Sequence, residues 1–226
     1  MQDYYSQKLS ADRLMRVYEV ASPRVRRYLE SEVEFAKSQF APDSTVIELG
    51  CGYGRVLPPL AEKAGLVVGI DSSIDSIKAG IDFLSDCSNC SLAVMSAEHL
   101  GFADSTFDAV ICIQNGISAF KVDPVALVRE SLRVCKDGGA AIFSTYSDKF
   151  WDHRLEWFEE QSKHGLLGEI DYEKTGNGNI VCRDGFTATT FTARQFEKIG
   201  HELDVMFEIT EVDDSSLFCI FRKIAS

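Results

Sequence analysis

Residues 48–55 read Glu48-Leu49-Gly50-Cys51-Gly52-Tyr53-Gly54-Arg55. Glycines at alternate positions tolerate positive φ and let a ligand approach bare backbone. The apolar run Thr45–Leu49 precedes them and residues 56–64 read as a helix, so the glycines form a strand-to-helix turn. Such a turn directs a helix start, with its N–H groups and positive dipole end, toward a bound group. Asp71 closes the next apolar run, 66–70, and stands 17 residues beyond Gly54. A carboxylate at the carboxyl edge of the neighbouring strand is placed to accept both hydroxyls of a ribose. Together these residues describe a nucleoside site at the crevice of an α/β sheet. Glu48 adds a sign, since a negative charge just ahead of the glycines suits an ammonium group and opposes a pyrophosphate. The spacing Gly50-x-Gly52-x-Gly54 also departs from the GxGxxG of nicotinamide dinucleotide sites.

The elements that must position these residues are legible as a βα alternation. Apolar runs at 91–95, 107–113 and 139–144 follow the first two, separated by helical stretches at 73–84 and Pro124–Val134. Continuous apolar strands between helices predict a parallel sheet buried on both faces. Ahead of the sheet, Leu14, Val17, Tyr18, Ala21, Val25, Tyr28, Leu29, Val33 and Ala36 recur at helical spacings, and Ser22-Pro23 opens a second helix. Behind it the pattern changes. Trp151–Lys163 reads as a helix, 180–189 as extended, and 192–199 as a helix with a capping-box pair at Thr192 and Gln195. Residues 203–212 and 216–223 read as two strands joined in a hairpin by Asp213-Asp214-Ser215.

In this order the segments resemble the class I S-adenosylmethionine-dependent methyltransferases. The stretch VIELGCGYGRVLPPLA is similar to that family's first motif, an acidic residue followed by xGxGxG, and residues 67–71 are similar to its second. Residues 96–102 and 105–108 resemble the segment written DAxxLPF…SFD, with Ser96 where the family has an acidic residue. The resemblance implies a doubly wound, seven-stranded, mostly parallel sheet of order 3-2-1-4-5-7-6, its last strand antiparallel, with an N-terminal helical cap. It implies S-adenosyl-L-methionine as cofactor. Glu48 would meet the ammonium group, and Gly50, Cys51, Gly52 and Gly54 the methionine moiety. Asp71 would hold the ribose, Ser72, Ser96, Ala97 and Glu98 would surround adenine, and Gln114 would lie near the methionine end. For Cys51 the plain alternative is a small residue filling a place between glycines.

Methyl transfer from a sulfonium asks for alignment and desolvation, and for a general base only when the acceptor must lose a proton early. No catalytic base is therefore assigned. Tyr5, Tyr18, Asn115, Tyr146, Trp151 and His153 are the candidates for the acceptor side. Against them stand simpler accounts: tyrosines covering an apolar groove, a packed Trp151, and an exposed His153 at the start of a charged helix. Arg55 suits either a carboxylate of donor or substrate or a structural ion pair. Gln114-Asn115 is not the Asn/Asp-Pro-Pro-aromatic motif of amino-directed nucleic-acid methyltransferases.

The chain has 226 residues, which predicts one domain: a helical cap over 1–41, a cofactor-binding core over 42–146, and a substrate-side segment with the terminal hairpin over 147–226. A net charge of −12 repels phosphate backbones and anionic lipid, so the expected partner is a small-molecule acceptor and neither nucleic acid nor membrane. The seven cysteines are odd in number and mostly sit in apolar runs, no leader opens the chain, and no apolar stretch approaches 18 residues. These features predict a soluble cytoplasmic protein with reduced thiols. Cys87 and Cys90 form a lone CxxC near only one histidine, His99, so no metal is expected. Two other readings stay open: a donor-binding protein without catalysis, and a nicotinamide-dependent oxidoreductase. The oligomeric state is not legible.

Overall fold

The structure, a computed structural model, describes residues 12–224. Helices α1 (Asp12–Glu19) and α2 (Pro23–Ser38) precede strand β1 (Thr45–Leu49). Then come α3 (Leu57–Ala61), β2 (Leu66–Asp71), α4 (Ile74–Phe83), β3 (Cys90–Val94) and β4 (Phe107–Cys112). A short α5 (Gly116–Ala119) and α6 (Pro124–Val134) lead to β5 (Cys135–Tyr146) and α7 (Trp151–Lys163). A small hairpin, β6 (Ile180–Val181) with β7 (Thr187–Ala188), precedes α8 (Ala193–Leu203), β8 (Met206–Val212) and β9 (Ser216–Arg222).

The main sheet has seven strands in the order β3-β2-β1-β4-β5-β9-β8. Set the small hairpin aside and this is the order expected from sequence. Strands β1 to β5 pair in parallel, and β9 enters antiparallel to both β5 and β8. Parallel register aligns the ends that matter: Leu49 lies opposite Ile70, and Glu48 opposite both Gly69 and Ile111. The glycine turn, Asp71 and the turn after β4 therefore open on one edge of the sheet.

Three apolar clusters hold the frame. One sheet face packs Val46, Ile111 and Ile142 against Leu57 and Leu60 of α3 and Val33 and Ala36 of α2. The other packs Ile47, Val110 and Phe143 against Leu127 and Val128 of α6 and Phe196 of α8. The third joins Val17, Tyr28, Trp157, Phe158, Phe186 and Tyr146, tying α1, α2, α7 and the small hairpin into a roof beside the strand ends. Arg154, fully buried in that roof, donates to the carbonyls of Gly178 and Ala188 and lies 4.4 Å from the Tyr146 ring.

Several local expectations are corrected. The helix after the glycine turn is only five residues long, and Pro58 and Pro59 sit in its first turn. The helix expected at 192–199 runs on to Leu203, because Phe196, Ile199 and Gly200 continue one buried face, and Asp204 ends it in the left-handed conformation. The eighth strand consequently begins at Met206 and not at residue 203. The CxxC turn brings its Cα atoms within 5.4 Å and its sulfurs are bonded to each other, against the expectation of reduced thiols. Among the described residues the other five cysteines are free and buried.

Gly80 packs α4 onto the glycine turn: a Cβ there would meet the Tyr53 carbonyl oxygen at 2.9 Å and Leu92 at 2.6 Å. Overpacking costs about 1–3 kcal/mol, and alanine recovers about 1 kcal/mol of helix propensity. Gly80→Ala is therefore expected to lower stability by up to about 2 kcal/mol, read as a reduced midpoint in urea unfolding.

Candidate functional site

A cavity of about 380 Å³ opens where the glycine turn, Asp71 and the turn after β4 meet the roof. Its wall includes Glu48, Gly50, Cys51, Gly52, Asp71, Ser72, Ser96, Ala97, Glu98, Gln114 and Asn115. Gly54 lies outside the wall; a Cβ on it would meet Leu84 at 2.9 Å, so it serves the packing of α4 against the turn. The three glycines have φ of +72, +57 and +84°, all in the left-handed region. A Cβ at Gly50 would stand 2.6 Å from the Phe120 ring, on the far wall.

Four of the turn's N–H groups, those of Gly50, Cys51, Gly52 and Gly54, are spent within the protein. Gly50 and Cys51 both donate to the Ile70 carbonyl, at 2.8 and 2.9 Å, and Gly54 donates to the Cys51 carbonyl at 2.8 Å. Gly52 donates to Asp71 Oδ2 at 2.9 Å, while Asp71 Oδ1 accepts from the Ser73 N–H at 2.8 Å. This corrects the expectation of a helix start facing the bound group: α3 is too short and these four donors are already used. What remains is a glycine surface of low steric bulk, a poor nest for a phosphate.

Glu48 supplies the opposite feature. It is 5% exposed, and its Oε2 is buried without a hydrogen-bond partner. Burial pushes its carboxyl up to about 8, with Asp71 adding to the rise and Arg55 opposing it. A buried carboxylate oxygen left without a partner is costly, and a cation beside it removes that cost.

The turn after β4, next to β1, carries two successive left-handed residues, Gln114 (φ 56°) and Asn115 (φ 64°). Gln114 N–H donates to Glu32 Oε2 at 2.8 Å and to Ser144 Oγ at 2.9 Å. Its side-chain Oε1 accepts from the Tyr18 hydroxyl at 3.1 Å, and its Nε2 is buried without a partner. Asn115 is committed at both ends of its amide, accepting from Thr145 and donating to the Thr189 carbonyl, each at 2.8 Å. The Arg55 guanidinium lies 4.3 Å over the Tyr18 ring, and its Nε and Nη2 are buried without partners. Ser96, where the family has an acid, accepts from the Glu98 N–H at 3.2 Å.

On the acceptor side, Tyr18 and Tyr146 line the cavity with Phe120, Phe158 and Ala188. Trp151 and His153 do not. Helix α7 turns Arg154, Trp157, Phe158 and Gln161 inward, leaving Trp151 half-buried in the roof and His153 exposed, 3.8 Å from Glu156. Tyr5 lies outside the described residues. The residue that sequence reasoning missed is Glu32, whose position on the stripe 25, 28, 29, 32, 33, 36 was readable as inward-facing.

Residues 46–139 match the family described as Methyltransferase domain. A ubiquinone biosynthesis O-methyltransferase of Hydrogenovibrio crunogenus is 28% identical over 138 residues, 60% of this chain and 56% of that protein. A demethylmenaquinone methyltransferase of Corynebacterium kroppenstedtii is 36% identical over 106 residues, 47% of this chain and 43% of its own. The chain thus spans about half the length of these curated relatives. Among solved structures, a Pyrococcus horikoshii OT3 protein superposes with a TM-score of 0.68 at 23% identity, covering 99% of both chains. The N-methyltransferase NodS of Bradyrhizobium japonicum WM9, solved with S-adenosyl-l-homocysteine, gives 0.62 at 16% identity over 96% of this chain and 95% of that one. Residues 46–139 are thus similar to a methyltransferase domain, and the sheet built around them has the fold of the solved structures on which it superposes.

Proposed function

We propose that the protein transfers a methyl group from S-adenosyl-L-methionine to a small-molecule acceptor. One observation carries this reading: Glu48, with a buried oxygen that has no partner, shares a cavity wall with glycines whose N–H donors are spent. That combination suits a cationic amino-acid end and rejects a pyrophosphate. Glu48 would hold the donor's ammonium group, Gly50, Cys51 and Gly52 its methionine moiety, and Asp71 its ribose. Gly54 would act through the packing of the turn. Ser72, Ser96, Ala97 and Glu98 would enclose adenine, and Gln114 would stand at the methionine end.

When bound, the donor supplies a methyl group on a positively charged sulfur. The chain's own work is then alignment and the exclusion of water, which favours loss of that charge as the methyl moves. Tyr18, Phe120, Tyr146 and Phe158 make the acceptor wall largely aromatic, with the Asn115 backbone turn at its base. Such a wall suits a planar, apolar small molecule, and the quinone names of the two relatives accord with it. In this reading the cap over 1–41, the core over 42–146 and the segment over 147–226 act as one unit. The net charge of −12 disfavours nucleic acid as a partner, and the five free, buried cysteines among the described residues accord with a cytoplasmic protein, the bonded Cys87–Cys90 pair standing apart from them.

Calorimetry is expected to show one S-adenosylhomocysteine bound per chain and no binding of NADH. A panel of hydroxylated aromatic acceptors is expected to yield S-adenosylhomocysteine release. No binding of either adenosyl compound, or NADH binding in their place, would overturn the reading.

A further inference from the structure

Glu32 lies on α2, is 0% exposed, and forms no part of the cavity wall. A carboxyl buried this completely is costly unless its surroundings compensate. Its Oε2 accepts the Gln114 backbone N–H, the hydroxyls of Ser144 and Ser216 ease the burial of its charge, and its Oε1 has no hydrogen-bond partner. Gln114 is the residue that needs holding. Gln114 at φ 56° followed by Asn115 at 64° occupies the left-handed region, where glycine is the ordinary choice and asparagine the better tolerated of these two. Such geometry persists only where neighbours over-determine it. Here Glu32 and Ser144 grip the backbone of Gln114, Tyr18 grips its amide oxygen, and Thr145 and Thr189 hold Asn115. Gln114 and Glu48 both line the cavity, and the Gln114 Nε2 is buried without a hydrogen-bond partner.

We propose that Glu32 is a positioning residue for the donor site: from α2 it fixes the left-handed turn after β4, and so sets the place of Gln114 in the cavity wall. The inference rests on the methyl-transfer reading only for the identity of the ligand; the link from Glu32 to Gln114 stands apart from it. It also gives the cap a second task. Besides packing on the sheet and the roof, α2 holds the turn after β4, which is part of the cavity wall.

The test compares wild type, Glu32→Gln and Glu32→Leu by S-adenosylhomocysteine calorimetry and by hydrogen exchange of the Gln114 amide. Glutamine keeps an oxygen that accepts the Gln114 N–H, so its affinity is expected to stay within about twofold of wild type, whereas leucine is expected to lose about tenfold. Exchange at Gln114 should rise in Glu32→Leu and not in Glu32→Gln. A folded Glu32→Leu protein with wild-type affinity and exchange would overturn the proposal, leaving Glu32 a packing residue. Should wild type fail to bind S-adenosylhomocysteine, the functional reading falls while the exchange comparison still decides the link. Should Glu32→Leu fail to fold, Gln114→Gly in the same chain decides it. Glycine takes φ 56° without strain, so folding is expected to recover, and no recovery would count against the proposal.

Discussion

Asp71→Ala is expected to weaken S-adenosylhomocysteine binding by about 10- to 100-fold while the chain stays folded, from the 1.5–3 kcal/mol usual for hydrogen bonds to a charged group. Two losses combine. The ribose hydroxyls lose their acceptor, and the N–H groups of Gly52 and Ser73, at 2.9 and 2.8 Å from the carboxylate, lose theirs. A carboxylate accepts up to about four hydrogen bonds, so holding the turn and receiving a ribose are compatible tasks. Asp71→Asn separates them. Its single amide oxygen can still hold one of the two N–H groups, and its affinity is expected to fall between wild type and Asp71→Ala. Calorimetry on the three proteins, with urea midpoints to verify folding, checks the order. Equal affinity in Asp71→Ala would remove the carboxylate from the site and take the reading of the second strand's end with it.

That Asp71 could be found at all from sequence follows from how such sites are made. A glycine turn and an acidic strand end owe their identity to backbone geometry and to charge, which residue types and spacing report directly. The buried parallel strands were legible for the same reason, since runs such as 107–113 are apolar on both faces and interrupted only by turns. Glu32 was not legible as a participant, because its significance lies in touching a backbone 82 positions away. Its place on an apolar helical stripe was the one local hint. The use of the turn's N–H groups was hidden too: it depends on the register that sets Leu49 opposite Ile70. His153 and Trp151 illustrate the converse, chemically attractive side chains that a one-step rotation about α7 turns away from the cavity. Residue type nominates a group, and only the packing of the helix that carries it decides whether it arrives.

The two buried carboxyls make a joint prediction about pH. Burial pushes Glu48 up to about 8 and Glu32 up to about 7, both from an ordinary 4.5. Between about pH 5 and 8 the folded chain therefore keeps protons that the unfolded chain has released, and stability must fall as pH rises through that window. The carboxylates held low by their partners, Asp108, Glu130 and Glu211 among them, lose their contribution only below the window and do not mask the trend. The loss is on the order of 2–5 kcal/mol across the interval, smaller than the full shifts imply because a buried group relaxes as it ionises. A thermal midpoint that is flat or rising from pH 5 to 8 would contradict it. Ligand binding should run in the opposite sense. An ammonium group beside Glu48 stabilises the ionised carboxylate, so binding releases a proton and affinity increases with pH up to about 8. Calorimetry in buffers of unequal ionisation heat measures that proton directly. Glu48→Gln is expected to abolish the release and to flatten most of the stability slope, leaving the part that Glu32 carries near pH 7.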